Sequence, residues 1–207
     1  MWVHSLVMTE PAPEKRDVPG RYTVAQYIDL VRQGVLRPDD RVELLEGVIV
    51  VMSPKNPWHD SAVHYTLQAL QRAVGNQAAV RCQATLLLEP GSAPEPDIAV
   101  VAGTIGDYVM AHPTTALLIV ECADASLPQD RLSKSRMYAA AGVAEYWIVS
   151  RRDDGVEVFR DPDPANAIYR TRRLAGRGER ITLVALPGVA VAVTEVLPPR
   201  TPDDERA

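Results

Sequence analysis

From Thr23 onward the chain switches between two hydrophobic periods. Val24, Tyr27, Ile28 and Val31 recur at helical spacing behind Thr23-Val24-Ala25-Gln26. That run is a capping-box pattern, in which the threonine hydroxyl and the glutamine side chain satisfy each other's backbone amides, and Gly34 ends the helix. Arg41 to Ser53 is rich in β-branched residues with Glu46-Gly47 in its middle, which predicts two strands around a tight turn or bulge. A second helix is predicted from Trp58 to Val74, with Ala62, Val63, Leu67, Leu70 and Val74 on one face and Gly75 at its exit. Strands follow at 79–88, 97–101 and 116–121. Helical spacing returns from Pro128 to Ala141, where Leu132, Met137 and the alanines repeat and Gly142 stops the run. Strands at 145–150 and 156–160, and two or three shorter ones up to Val193, complete the chain. The order α-β-α-β-β-β-α-β-β-β predicts an α/β (α+β) fold, a mixed central β-sheet flanked by helices. It lacks the regular alternation of a Rossmann or TIM architecture.

Composition narrows this further. A chain of 207 residues, 46% hydrophobic and 24% charged, suits one globular domain, placed at 21–197. The proline-rich, mixed-charge ends at 1–20 and 198–207 read as flexible tails. No stretch approaches the roughly 18 to 20 uninterrupted apolar residues of a membrane helix, and the opening MWVHSLVMTE lacks a basic start and a long apolar core. The expectation is a cytoplasmic protein with no membrane partner. Cys82 and Cys122 are the only cysteines, without the close pairs of a zinc site or a disulfide framework. A formal charge of −5 argues against a uniformly basic surface, yet residues 131–180 carry eleven Lys/Arg against seven Asp/Glu. That asymmetry permits a side that faces a polyanion.

No glycine-rich phosphate loop, Gly-x-Ser-x-Gly elbow, His-Glu-x-x-His or Cys-x-x-Cys occurs. What stands out is a carboxylate at the end of each of two apolar strands. Pro96-Asp97 opens IAVV and Glu121 closes ALLIVE. Such groups are costly to desolvate without a compensating cation or hydrogen bonds. If neighbouring strands bring them together, their repulsion calls for a divalent metal, and oxygen ligands of this kind suit Mg²⁺ or Mn²⁺ and phosphodiester hydrolysis. The plainer alternative is that Asp97 caps a turn and Glu121 marks where a strand leaves the core. Lysine occurs only at 15, 55 and 134, against nineteen arginines, so Lys134 reads as a selected compact cation. Its alternative is an exposed helical pair with Asp130. His59 at a helix start could serve as an acid or base or reach a phosphate, or simply be solvated. Glu43 and Glu46 flank the first strand pair; one is a candidate third carboxylate, against a solvated strand face and a turn residue. Trp58 fits either base stacking or a helix-start staple.

In combination these residues resemble a known family. Glu43-Leu44-Leu45-Glu46-Gly47, Met52-Ser53-Pro54, His59, Pro96-Asp97, Ile119-Val120-Glu121, Asp130 with Lys134 and Tyr138, Ala141-Gly142-Val143 and Glu145-Tyr146-Trp147 are similar in order and spacing to the Uma family of restriction-endonuclease-like proteins, over residues 21–160. The resemblance implies a restriction endonuclease-like fold of the PD-(D/E)xK superfamily, with Asp97 and Glu121 as metal carboxylates and the Cys122 carbonyl as a further metal ligand. Ala123 stands where the superfamily's lysine is usual, and the resemblance makes Lys134, from the following helix, its substitute. Glu43 matches the family's upstream glutamate and His59 its helix-start histidine. The family's usual Glu-Val-x-Ser-Pro-Ser-Thr run departs here at Asp124 and Leu127. The added carboxylate points either to a second ion or to an inactive copy.

The resulting expectation is a Mg- or Mn-dependent endonuclease acting on DNA, with arginines between 131 and 180 on phosphates. A homodimer would cut both strands. Its rivals are a catalytically silent fold that binds nucleic acid or protein, and a hydrolase of other phosphate esters.

Overall fold

The structure, a computed structural model, describes residues 20–89, 91–124 and 126–200. The capping box forms. The Gln26 amide donates to the Thr23 hydroxyl at 3.2 Å and the Thr23 amide to Gln26 Oε1 at 2.9 Å, opening α1 (Val24–Arg32). The strands β1 (Val42–Leu45) and β2 (Val48–Val51) pair antiparallel across Glu46-Gly47. Both turn residues take positive φ, 47° and 82°, the geometry that suits a two-residue hairpin. Only glycine fits at 47, because a Cβ there would lie 2.8 Å from the Arg21 Cβ.

After α2 (Pro57–Val74) come β3 (Ala79–Cys82), β4 (Ile98–Val101) and β5 (Leu118–Ala123). The predicted helix at 128–141 is present as α3 (Leu127–Gln129), a π-helical turn at Asp130–Lys134, and α4 (Ser135–Ala140). Then follow β6 (Glu145–Ser150), β7 (Gly155–Asp163) and β8 (Ile168–Gly176). These six strands form one sheet in the order β3-β4-β5-β6-β7-β8. Only β5 and β6 run parallel, because the α3–α4 crossover returns the chain to the same end of the sheet. A smaller pair, β9 (Arg180–Thr182) and β10 (Ala190–Ala192), leads into α5 (Val193–Val196).

The central strands are buried on both faces, which is why they read as continuous apolar runs. Ile98, Val100, Val120, Trp147 and Val149 point to the side covered by α2 and α5, with Leu70, Val74 and Val196. Ala99, Val101, Ile119, Tyr146 and Ile148 point to the other, with Leu127, Met137 and Tyr138 of α3–α4. Each large apolar side chain so buried contributes about 1.5–3 kcal/mol. Tyr146-Trp147 is core, fully buried within β6.

The strand expected over 79–88 stops at Cys82, because Gln83 turns at φ 46° and sends its amide to the Asp97 carbonyl. The C-terminal strands differ from expectation too: β7 and β8 form a long hairpin and α5 had no counterpart in the sequence pattern. Of the expected tails, residues 1–19 and 201–207 lie outside the described residues. At 198–200 the Pro198 carbonyl accepts from Arg177 and Arg200 grips Asp154. No helix among the described residues is long and apolar enough to cross a membrane.

Candidate active site

Strand register assembles the first half of the site. β4 and β5 pair Ile98 with Val120 and Ala99 with Ile119, so one further step along this ladder sets Asp97 opposite Glu121. By the same alternation both carboxylates fall on the face of Ala99, Ile119 and Ala123, beneath α3–α4. Both are buried, at 6% and 4% exposure.

Asp97 is held from three sides. Its Oδ2 accepts from the Cys122 amide at 2.9 Å and faces His59 Nε2 at 3.0 Å, while Oδ1 accepts from Gln83 at 3.2 Å. Burial pushes this carboxyl up, but the His59 hydrogen bond and charge, the Cys122 amide and Lys134 outweigh it, and it lies below the usual range. The next carbonyl along β5, that of Ala123, accepts from the Arg151 amide beyond β6. Peptide groups alternate along a strand, so the Cys122 carbonyl turns to the opposite edge, the one on which its own amide meets Asp97.

His59 sits at the start of α2, where Asn56 Oδ1 caps its amide at 2.9 Å. Rather than being solvated, its ring is largely enclosed between Asp97 and Asp60, whose Oδ1 lies 3.5 Å from Nδ1. Burial disfavours the imidazolium, yet the hydrogen bond and charge of Asp97 raise its pKa above the ordinary value.

Glu121 receives the Tyr138 hydroxyl at 2.8 Å and Lys134 Nζ at 2.9 Å, both on Oε1. Among the described residues no hydrogen bond or ion pair reaches its Oε2. Burial pushes this carboxyl up to about 8; Lys134 pulls it down, while Asp97, Asp130 and Glu43 repel its charge. The Lys134 side chain is 12% exposed, so the exposed helical pair is not what forms. Asp130 does lie 3.8 Å from Nζ, but as a second, buried partner. Burial opposes the Lys134 charge; Glu121, Glu43 and Asp130 more than restore it, raising its pKa. Glu43, on β1, is buried and accepts from the Glu95 amide at 3.2 Å, whereas Glu46 is an exposed turn residue.

All six candidates, Glu43, His59, Asp97, Glu121, Cys122 and Lys134, line a single cleft of about 390 Å³. Lys55 lines it too, so both lysines of the described residues are here. Asp130, Tyr138 and Gln83 were not singled out as site groups. The first two had a signal, since they stand four residues on either side of Lys134 and so share its helix face. The third had none, because Gln83 reaches Asp97 only through its turn. The π-helical turn holding Asp130 to Lys134 is a feature found mostly as single turns, frequently at functional sites.

The departures from the family pattern have local explanations. Asp124 accepts from Asn56 at 2.8 Å and from Arg151 at 3.3 Å, so its charge is already met. Leu127 is buried against the Tyr138 side of the sheet. Trp58 packs on the α2 side of the core with the Arg151 guanidinium 6.0 Å from its ring centroid. Many arginines of 131–180 hold carboxylates: Arg131 and Arg172 on Glu157, Arg160 on Glu145, Arg173 on Glu179 and Arg177 on Asp154.

No group of three His, Cys, Asp or Glu side chains among the described residues is gathered to hold a metal ion. The donor set fits a hard divalent ion all the same. Mg²⁺ is usually held by one or two carboxylates while keeping several waters, and here two carboxylates and one carbonyl meet at one cleft. Burial first, and then the charges of neighbouring acids, raise Glu121 and Asp130, and an added cation would offset both.

A mixed six-stranded sheet with helices on both faces and an acidic, lysine-bearing cleft at the β4–β5 end defines a nuclease-like fold. The chain belongs to the Uma2 family, described as "Putative restriction endonuclease", which it matches over residues 24–194. Among solved structures it is similar to a putative nuclease belonging to DUF820 from Anabaena variabilis ATCC 29413. The TM-score is 0.64 at 14% identity, covering 84% of this chain and 97% of that one. No curated protein matches the chain.

Proposed function

We propose that the chain is a metal-dependent endonuclease of the PD-(D/E)xK type that hydrolyses DNA phosphodiester bonds. The observation that carries this reading is the placement of Asp97 opposite Glu121 at one strand end, with the ammonium of Lys134 on Glu121. The Asp97 and Glu121 carboxylates and the Cys122 carbonyl would hold Mg²⁺ or Mn²⁺. When bound, such an ion supplies Lewis acidity at a phosphate oxygen and a more acidic water.

The chain's own groups do the rest. Lys134 Nζ, between Glu121 and Asp130, orients the attacking water or meets a phosphate oxygen as a compact point charge, where a guanidinium fork would be too broad. Tyr138 fixes the orientation of Glu121 by its hydroxyl. His59 and the Cys122 amide hold Asp97 ionised and aimed. Glu43 is a positioning residue that ties β1 to the Glu95 amide beside the cleft. One such site cuts one strand, so a two-fold dimer is the natural route to a double-strand break.

A second reading is a silent nuclease fold that binds nucleic acid or protein. It is favoured by the fact that each strand-end carboxylate already has a basic partner from the chain, Asp97 in His59 and Glu121 in Lys134. Nicking of supercoiled plasmid decides between them. The endonuclease reading expects nicking with Mg²⁺ or Mn²⁺ that stops in EDTA and in Asp97→Ala and Lys134→Ala. Metal-independent DNA binding without nicking, by the folded protein, gives the second reading.

A further inference from the structure

A second cavity, of about 400 Å³, opens beside the cleft between α1, the end of β2 and the loop after β3. Its apolar wall is Ile28, Leu36 and Val42, its cations are Arg37, Arg41 and Lys55, and the His112 imidazole lies beside them. It is continuous with the cleft, because Met52, Lys55 and Glu95 line both. Gln83 joins them as well: it lines the second cavity while its side chain donates to Asp97 Oδ1 at 3.2 Å. That glutamine is held at φ 46°, in the left-handed region sparsely occupied by residues other than glycine.

The charge pattern gives this cavity its meaning. The arginines of β7 and β8 are matched to carboxylates, as with Arg172 on Glu157 and Arg173 on Glu179. Arg41 and Lys55 have no carboxylate partner among the described residues, whereas Arg37 is held by Asp39 and Asp40. In a chain of net charge −5, unmatched cations gathered at one end of an acidic cleft favour an anionic ligand that passes from one cavity into the other. A polymer with one negative charge per residue and an apolar sugar between charges fits that lining.

We propose that the second cavity is a subsite for the nucleotide next to the scissile phosphate, its phosphate on Arg41, Lys55 and His112 and its deoxyribose against Ile28, Leu36 and Val42. This rests on the nuclease reading of the adjoining cleft. Occupancy here carries the strand past Gln83 and into register with Asp97. The cavity supplies positioning, without sequence readout.

The test is anisotropy of a short labelled DNA duplex with the full chain in EDTA, over a series of salt concentrations. Arg41→Gln is expected to weaken binding about tenfold and to lower the log–log salt slope by about 0.9, the loss of one phosphate contact. Arg173→Gln, which removes an equal charge from a surface ion pair far along the sheet, serves as the control and is expected to bind as wild type. Wild-type affinity in Arg41→Gln, or equal weakening in both variants, overturns the subsite. Turnover of bis(p-nitrophenyl) phosphate by the wild-type protein with Mn²⁺ reports the cleft separately. Weakened duplex binding in Arg41→Gln alone, with no diester turnover in wild type, keeps the cavity as a nucleotide-binding site and removes the endonuclease reading and, with it, the scissile phosphate.

Discussion

Lys134 sets its ammonium nitrogen 2.9 Å from Oε1 of Glu121, reaching from the helical segment after the strand to a carboxylate inside it. Ala123, two residues beyond Glu121 on the same face, is fully buried among Ile119, Leu127 and Tyr138. The cation therefore approaches from above the sheet, and the π-helical turn ends at the residue that carries it.

Removing this cation leaves the buried Glu121 carboxyl with only the Tyr138 hydroxyl on its Oε1. Lys134→Ala is expected to lose plasmid nicking and to cost about 3–5 kcal/mol by urea denaturation. Lys134→Arg keeps the charge but not the compact shape, and is expected to nick at least about a hundredfold more slowly. Equal rates for arginine and lysine would reduce Lys134 to an ion-pair partner.

Asp97 joins β4, β5 and α2, so its loss separates metal binding from folding. Asp97→Ala is expected to abolish Mn²⁺ binding in calorimetry while the far-UV spectrum stays native. The freed Cys122 amide costs about 1–3 kcal/mol of stability. Asp97→Asn retains a hydrogen-bond acceptor and should fold closer to wild type. A heat of Mn²⁺ binding unchanged in either variant would remove Asp97 from the ligand set.

The His59–Asp97 pair makes a pH prediction. The pKa of His59 is raised above 6.5, so its stabilisation is complete below 6.5 and is lost as pH rises through the raised value. Asp97 is lowered below 3.8, so its stabilisation is complete above 3.8 and is lost as pH falls through the lowered value. The pair stabilises most between these limits. In NMR titration of the metal-free protein, the His59 midpoint is expected to fall in Asp97→Asn, and a midpoint that does not move would show that His59 is not charged by Asp97.

Asp124 gives a prediction of no effect. With Asn56 and Arg151 on its Oδ2, it is occupied at the rim of the cleft and does not call for a second ion. Asp124→Asn is expected to leave Mn²⁺ stoichiometry unaltered and to change stability by at most about 1 kcal/mol, as for partly exposed ion pairs. A drop in stoichiometry on this substitution would restore the two-ion reading.

What was legible in the sequence was local. The Thr23 capping box, the Glu46-Gly47 turn, the ends of α2 and all of β6 follow from contacts within a few residues, which the sequence order already specifies. Asp97 and Glu121 also stood out, because a carboxylate abutting an apolar run is anomalous wherever the strand lies. The early end of β3 had no such mark: Gln83 turns there because its amide and side chain both meet Asp97, across a long loop.

The partners of those carboxylates were decided by tertiary structure. Register between β4 and β5 put Asp97 beside Glu121, and the parallel β5–β6 crossover laid Lys134, Asp130 and Tyr138 over them. The matching of Arg172 and Arg173 to Glu157 and Glu179, leaving Arg41 and Lys55 unmatched beside the cleft, likewise depends on which strands lie together. Composition counts charges, but Coulomb attraction and desolvation act through distance, and distance between residues far apart in the chain exists only once the sheet has formed.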